Sequence, residues 1–182
     1  MSTADRRILK SQEAIKSALI ALMTEKKFDQ ITIGDISSRA NVGRRTIYLH
    51  YLDKYDLLDH IILEHINELR TICETAGSEM SFAEGGSIWF AYLERKHAFF
   101  SSMLQSKEAA SFRSRFFAFV IERLAHHLNV SEGVNQGLSK DVLLHFFGNA
   151  VVGIVESWFN DGLSEPADVV AQQVGRLLDR NL

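Results

Sequence analysis

TIGDISSRANVGRRTIYLHYLDK, residues 32 to 54, carries the most specific structural pattern in this chain. Thr32 followed three residues later by Asp35 is the pattern of a capping box, which predicts that a short helix opens after Thr32. The run Asn41-Val42-Gly43 predicts a tight turn, because Asn and Gly adopt left-handed backbone conformations more readily than other residues. A further short helix is then predicted from Arg44 to His50. Two short helices joined in this way form a helix-turn-helix, whose second helix lies on the surface.

The surface side of this motif is rich in hydrogen-bond donors. Donors of this kind suit phosphate oxygens and the O6 and N7 atoms of guanine, so the pattern indicates contact with DNA. Thr32 lies where a helix N-terminus can offer backbone N–H groups to a phosphate, and Lys54 begins the next helix beside the same DNA backbone. The predicted DNA-binding residues are Thr32, Arg44, Arg45, Thr46, Tyr48, His50 and Lys54.

Helical periodicity continues on both sides of the motif and predicts an all-α protein of about nine helices. A first helix is predicted from Ile8 to Met23, and Asp53 is predicted to cap a long fourth helix that ends near Ala76-Gly77. We expect residues 1–54 to form an N-terminal three-helix DNA-binding domain and residues 55–182 a helical effector-binding and dimerisation domain. The further helices are predicted at Gly85–Glu94, Lys96–Leu104, Ser106–Leu128, Ser139–Asp161 and Pro166–Arg180.

Composition narrows the class of protein. The 182 residues include a single cysteine, Cys73, which excludes an intramolecular disulfide and a cysteine-rich metal site. Residues 1–54 contain ten lysines and arginines against six acidic residues, whereas residues 55–182 contain ten against seventeen. A basic head on an acidic body is typical of a polyanion-binding head joined to a body with another task. No secretion signal is evident, and the uncharged run from Val142 to Val155 is too short to span a bilayer, so we expect a cytoplasmic protein without membrane contact.

The run ITIGDISSRANVGRRTIYLHYLDKYDLL, residues 31 to 58, resembles the TetR/AcrR family of bacterial transcriptional regulators. The resemblance implies a DNA-binding transcriptional regulator that acts as a repressor. It implies a homodimer that binds a palindromic operator and responds to a small-molecule effector. It also implies that Thr32, Tyr48, His50 and Lys54 contact or position the DNA backbone, while residues at the start of the third helix read bases. The segment GIVESWFNDG, residues 153 to 162, looks like a C-terminal type found in regulators of dihydroxyacetone kinase genes.

Three positions depart from the family pattern. Gly43 stands where the family usually has a hydroxyl residue that caps the recognition helix, and a glycine cap costs only a few tenths of a kcal/mol relative to serine. Asn41 replaces the usual turn glycine. Arg45 occupies a position that is often small, which places two adjacent arginines at the groove. These departures change the expected operator more than the expectation of DNA binding.

The body is unusually aromatic, since residues 82–119 hold eight of the twelve phenylalanines. Core packing is one interpretation, and an aromatic-lined cavity for a small apolar or aromatic effector is the other. The residues predicted to line such a pocket are Trp89, Tyr92, Phe100, Met103, Phe116 and Phe117.

The segment LLHFFGNAVVGIVESWFNDG, residues 143 to 162, is apolar nearly all round. A helix that is apolar on every side has to be buried on every side, and a second copy of the chain can supply part of the cover. The family resemblance implies dimerisation through the last two helices. The predicted interface residues are Phe147, Val151, Ile154, Trp158, Val170, Val174 and Leu177.

Three other classes of protein fit the sequence less well. No catalytic motif stands out, so we predict neither an enzyme nor a cofactor. A metal sensor of the same fold is an alternative, because Glu122–His126 and Asp141–His145 have i,i+4 spacing, although such pairs are usually ordinary surface pairs and no metal site is predicted. A helical adaptor that does not bind DNA is the third class, and the basic head argues against it.

Overall fold

The computed structural model describes residues 3–76, 81–105, 110–131 and 133–182, and every regular element in those ranges is a helix. The chain divides into two compact units, Met1–His65 and Ile66–Leu182, which we call unit 1 and unit 2. The all-α prediction is confirmed for the described residues. The α-helices are α1 (Thr3–Glu25), α2 (Ile33–Ala40), α3 (Arg44–Tyr48), α4 (Lys54–Ala76), α5 (Phe82–Arg95), α6 (His97–Gln105), α7 (Ala110–Ala125), α8 (Lys140–Asn160) and α9 (Ala167–Asn181), with 3-10 turns at Phe28–Gln30 and Gly133–Asn135.

Unit 1 is a helix-turn-helix held by local caps. The predicted capping box is present, since the Thr32 hydroxyl accepts from the Asp35 backbone N–H and the Asp35 carboxylate accepts from the Thr32 backbone N–H. Asn41 closes α2 with a left-handed backbone (φ 53°), as its residue type predicts. Gly43, in contrast, has an ordinary extended backbone (φ −68°) and caps α3 without a side chain. Ile36 and Ile47 are fully buried beneath the motif.

Helix α3 ends at Tyr48, two residues earlier than the sequence predicts. The backbone N–H of Leu49 still donates to the Arg45 carbonyl, but that of His50 donates to the Ile47 carbonyl only three residues back, which closes the helix as a turn. Asp53 caps α4 as predicted, because its carboxylate accepts from the backbone N–H groups of residues 55 and 56.

The boundary between the units lies inside α4, eleven residues later than the boundary predicted after Lys54. The first half of α4 belongs to unit 1, and specific contacts hold it there. The Lys16 ammonium lies 2.7 Å from the Glu64 carboxylate, and the rings of Tyr51 and His60 meet edge to face at 5.4 Å.

Unit 2 is a bundle in which α5 packs along α9 and α7 packs along α8. Gly175 in α9 makes the first of these contacts possible, because a Cβ atom at this position would lie 2.2 Å from the Cα atom of Ala83 in α5. Helix α5 begins three residues earlier than predicted, at a second capping box formed by Ser81 and Glu84. The predicted start of α7 at Ser106 lies outside the described residues.

Helix α8 is long and apolar enough to cross a membrane by length and composition alone. It is 21 residues long, longer than the uncharged run that the sequence marks out. Core helices of soluble proteins have the same properties, and α8 buries Leu144, Val152, Val155 and Phe159 in unit 2. The helix is therefore weak evidence for a membrane span.

Candidate functional site

Four basic side chains that lie around the helix-turn-helix are engaged by other groups of unit 1. Lys26 pairs with Asp35 at 2.8 Å, and Arg39 makes a two-pronged pair with Glu25 at 2.7 and 2.8 Å. Lys16 pairs with both Glu13 and Glu64. These cations join α1 to α2 and α4, so their positive charge is already matched.

Lys54 is engaged more completely than any of these. Its ammonium donates to three backbone carbonyls, those of Phe28 (2.9 Å), Asp29 (3.0 Å) and Ile31 (2.9 Å). It also lies 4.8 Å from the centre of the Phe28 ring. An ammonium has three N–H donors, and all three are used here. In this arrangement Lys54 holds the turn before α2, and the predicted contact of its ammonium with a DNA phosphate would require it to release a carbonyl.

Arg44 and Arg45 stand in contrast to these cations. Both are exposed at the start of α3, and neither guanidinium group makes an ion pair or hydrogen bond with any residue that the structure describes. Gly34 leaves room for the first of them, because a Cβ atom at that position would lie 2.8 Å from the Nη2 atom of Arg44. Two adjacent guanidinium groups are thus exposed beside the helix-turn-helix turn.

Thr32 is occupied by its capping box. Its hydroxyl donates to the Asp35 carboxylate (2.9 Å) as well as accepting from the Asp35 N–H. The Lys26 ammonium, followed by the Thr32 backbone N–H and hydroxyl, lowers the pKa of Asp35 to about 2. A carboxylate therefore stays ionised at the N-terminus of α2, where the sequence predicts phosphate binding. Negative charge at this point opposes a second anion.

The other predicted DNA-binding residues differ in exposure. Tyr48 is 58% exposed, while Thr46 and His50 are half-buried. The Nδ1 atom of His50 lies 3.5 Å from the side-chain nitrogen of Gln12, which is a long contact. Leu49, which is not among the residues predicted from the sequence, is 71% exposed and follows Arg45 by four residues, at the C-terminal end of α3. Its four-residue spacing from Arg45 is the sequence signal that places the two side chains on the same side of the helix.

Unit 2 contains a cavity of about 110 Å³ between α4, α5, α7, α8 and α9. Its walls are mostly apolar. The polar groups of the wall include the Arg123 guanidinium, the His127 ring and the Cys73 thiol. Trp89 also forms part of the wall, and its indole N–H is buried without an acceptor in the described part of the chain. A buried donor without a partner costs about 1–3 kcal/mol.

Of the six residues predicted to line a pocket, Trp89 lies in this cavity wall. The other five pack elsewhere in unit 2. Phe116 stacks on Trp89 with ring centres 5.7 Å apart, and Tyr92 donates a hydrogen bond to Glu68. Phe117 is half-buried against the ring of His145. Four of the five are buried in the largely aromatic core of unit 2, namely Tyr92, Phe100, Met103 and Phe116.

The predicted dimer residues separate into two groups. Val151, Trp158 and Val174 are buried within their own unit, so they are not available to a partner. Leu177 is 55% exposed, while Phe147, Ile154 and Val170 are half-buried. The face of α8 that unit 2 leaves open contains Val142 and Phe146, each 67% exposed, followed by Ala150 and Gly153. We call these four residues the open face of α8.

The residues with metal-ligand spacing have other partners. Glu122 pairs with Arg70 at 3.0 Å, and the Nδ1 atom of His145 lies 2.8 Å from the Asp141 carbonyl. No group of three or more His, Cys, Asp or Glu side chains comes together within the ranges that the structure describes. The geometry of these residues does not favour the metal-sensor alternative.

The chain is similar to a curated bacterial protein over nearly its whole length. The chain is 25% identical over 181 residues to YxbF, an uncharacterized HTH-type transcriptional regulator of Bacillus subtilis (strain 168). The match covers 96% of this chain and 46% of that protein, so the chain spans about half the length of the curated relative.

Two solved structures show the same fold. The dihydroxyacetone kinase operon activator DhaS is 18% identical, with 92% of this chain and 93% of that chain covered and a TM-score of 0.68. FadR from Bacillus subtilis, solved in complex with stearoyl-CoA, is 16% identical, with 93% and 98% covered and a TM-score of 0.71. At these identities the likeness concerns the fold alone, so the narrower resemblance to dihydroxyacetone kinase regulators stays a prediction.

Two family descriptions match the chain directly. Residues 15–61 match "Bacterial regulatory proteins, tetR family", and residues 84–180 match "Transcriptional regulator C-terminal region". The first match contains the helix-turn-helix, and the second covers more than half of the chain. The family is one of regulators rather than enzymes. The chain therefore belongs to the TetR family of bacterial transcriptional regulators.

Proposed function

We propose that the chain represses transcription in the cytoplasm by binding a palindromic operator as a homodimer, and that a small-molecule effector changes its affinity for that operator. The observation that carries DNA binding is the pair Arg44 and Arg45, exposed and unmatched where the neighbouring cations are paired. Placed in a major groove, such guanidinium groups bind guanine edges or phosphates. Tyr48, Thr46 and His50 follow on the same helix and turn, and they add contacts to the DNA backbone.

Operator binding is tested on a sequence selected from a random DNA pool. Changing both Arg44 and Arg45 to Ala should weaken binding about 100-fold or more, because each base-reading arginine contributes about 1–3 kcal/mol. A matched control removes two neighbouring cations from unit 2, Arg95→Ala with Lys96→Ala, and should bind nearly as well as the native chain. Native affinity should also fall steeply between two salt concentrations.

Equal affinity of the arginine variant and the control would overturn the assignment of the recognition helix. If no sequence is selected from the pool at low salt, the protein is the helical adaptor rather than a regulator that binds DNA. Circular dichroism of both variants checks that they remain folded.

The homodimer is supported by the open face of α8. Val142 and Phe146 expose apolar surface one turn apart, and Gly153 has no neighbouring atom within 4 Å of the position of a Cβ atom. Leu177 adds an exposed apolar side chain on α9. A second copy related by a two-fold axis would cover this surface and place two recognition helices about one DNA turn apart.

Analytical ultracentrifugation tests the dimer. Phe146→Glu should convert the dimer to a monomer at micromolar concentration, because it places a charge on the proposed apolar contact. Ile88→Glu, at a 45% exposed position on α5, is the control and should stay dimeric. A native chain that sediments as a monomer at the same concentration would contradict the proposal.

The effector response is supported by the cavity in unit 2 and by a structural neighbour that binds a ligand, FadR with stearoyl-CoA. An effector that favours one conformation of the dimer lowers operator affinity by the same factor by which DNA lowers effector affinity. Operator titrations with and without each compound that binds unit 2 test this coupling. Metal analysis of the purified protein tests the alternative of a metal-responsive regulator. Unchanged operator affinity with every bound compound would contradict the effector response.

A further inference from the structure

The wall of the cavity in unit 2 contains hydrogen-bond donors without acceptors elsewhere in the described residues. Arg123 is half-buried, and its guanidinium makes no ion pair or hydrogen bond with the residues that the structure describes. The indole N–H of Trp89, in the same wall, has no acceptor among those residues, and Trp89 is only 8% exposed. No Asp or Glu of the described ranges lines the cavity. The wall thus contains two unmatched donor groups and no carboxylate to match them.

The other ionisable groups of the wall do not supply a negative charge. Burial is the largest cause that raises the pKa of the Cys73 thiol, which therefore stays protonated at neutral pH. Burial, followed by the charges of Arg123 and His126, lowers the pKa of His127, against the opposite effect of the Asp179 carboxylate, which lies outside the wall and accepts from the Phe82 backbone N–H. A neutral imidazole beside Arg123 leaves the guanidinium as the charge that a ligand would meet.

The size of the cavity limits the ligand. An engineered apolar cavity of about 150 Å³ in another protein holds a benzene molecule. A cavity of about 110 Å³ that is partly open can therefore hold one small ring or a short branched chain, with its polar end toward the opening. The aromatic core beside it is already filled, because Phe112 and Phe116 are 0% and 1% exposed.

We propose that this cavity binds a small carboxylate with an aromatic or branched apolar body, and that Arg123 binds its carboxylate group. A guanidinium and a carboxylate form charge-assisted hydrogen bonds, which are stronger than neutral ones. The apolar body would pack against Phe90, Phe119 and Val151 in the wall. The role of this ligand as an effector rests on the proposed function, whereas its binding does not.

The test is a calorimetric titration of the full chain, without DNA, with two ligands of matched shape. Benzoate carries the carboxylate, and benzyl alcohol carries the same ring without the charge. Benzoate should bind the native chain at least tenfold more tightly than benzyl alcohol. Arg123→Met keeps an unbranched apolar side chain and removes the charge, so it should weaken benzoate binding about tenfold or more. The same variant should change benzyl alcohol binding by less than about twofold.

Arg95→Met is the matched control, because Arg95 is exposed at the end of α5 and outside the cavity wall. It should bind benzoate as the native chain does. Equal affinity of the native chain for the two ligands, or undiminished benzoate binding by Arg123→Met, would overturn the proposal. If Arg123→Met does not fold, the comparison of the two ligands on the native chain still decides.

A second ligand series tests the size limit. Binding should weaken from benzoate to 2-naphthoate and be weakest for octadecanoate, since the longer molecules exceed the cavity. Tighter binding of octadecanoate would overturn the small-ligand assignment. Because these titrations contain no DNA, their failure would leave operator binding by Arg44 and Arg45 standing, and failure to find an operator would leave the cavity chemistry standing.

Discussion

Unit 1 and unit 2 leave cations unmatched in different places. In unit 1 two adjacent unmatched cations, Arg44 and Arg45, lie on the exposed side of a short helix, where a large polyanion can reach them. In unit 2 the unmatched Arg123 lies half-buried in the wall of a small apolar cavity, where only a small molecule can reach it. The location of an unmatched charge, rather than its presence, therefore indicates the size of the partner.

A single substitution at Gly175 should destabilise unit 2 strongly and leave the DNA-binding surface of unit 1 unchanged. Gly175→Ala would place a Cβ atom 2.2 Å from the Ala83 backbone, so α9 has to move away from α5. We expect a loss of about 3 kcal/mol in the free energy of unfolding. Tryptophan fluorescence in urea measures it, because both tryptophans, Trp89 and Trp158, lie in unit 2. Gly85→Ala, where the added Cβ meets open space, should cause no loss, and an equal loss in this control would contradict the close-approach explanation.

The stability of unit 1 should depend on Lys54 and not on the nearby exposed Lys27, which would identify Lys54 as a structural cation. Lys54→Met removes three hydrogen bonds to carbonyls and should cost about 2 kcal/mol of stability. Lys27→Met, at an exposed position nearby, should cost almost nothing. Thermal unfolding followed by circular dichroism compares the two variants. A stable Lys54→Met variant with weakened operator binding would show instead that Lys54 serves DNA contact.

A smaller effect tests the turn of the helix-turn-helix. Asn41 has a φ of 53°, a conformation that costs most residues about 1 kcal/mol or more. Asn41→Ala should therefore lower stability by about 1 kcal/mol, and Asn41→Gly should leave it nearly unchanged. Equal stability of the two variants in urea unfolding would contradict a strained turn.

The smallest effect concerns pH. The pKa of Asp35 is lowered from 3.8 to about 2 in the folded chain, so its ionised form favours folding. That contribution is fully present above about pH 4, and it disappears as the pH falls through 2. Asp35→Asn should be less stable than the native chain at pH 7, and the difference should shrink between pH 4 and pH 2. Unfolding at several pH values measures it, with Asp29→Asn as the control. A difference that does not change with pH would contradict the role of the ionised carboxylate.

The parts of the fold that local sequence patterns predict are those with local causes. The capping box at Thr32 and Asp35, the left-handed Asn41 and the cap at Asp53 each depend on residues within about four positions of one another. The end of α3 was predicted two residues late, because the pattern of side chains continues through Leu49 and His50 while the backbone has already turned.

The sites depended on contacts between residues distant in the chain. Lys54 reaches carbonyls 23 to 26 residues earlier, and nothing in its own neighbourhood indicates this. The aromatic richness of residues 82–119 suggested a pocket among the rings, but most of those rings fill the core. The cavity formed instead between α4, α5, α7, α8 and α9, and its charged residue, Arg123, lay outside the predicted set.

The amino-acid sequence alone predicts an all-helical chain, a helix-turn-helix between residues 32 and 54, and a pair of arginines at its surface. It could do so because caps, turns and helical periodicity act over a few residues. The packing of the helices, in contrast, determines which cations are already matched, which face of α8 stays open and where unit 2 leaves a cavity. The physical reason is that charge pairing and burial depend on what packs against a side chain, and those partners come from helices far away in the sequence.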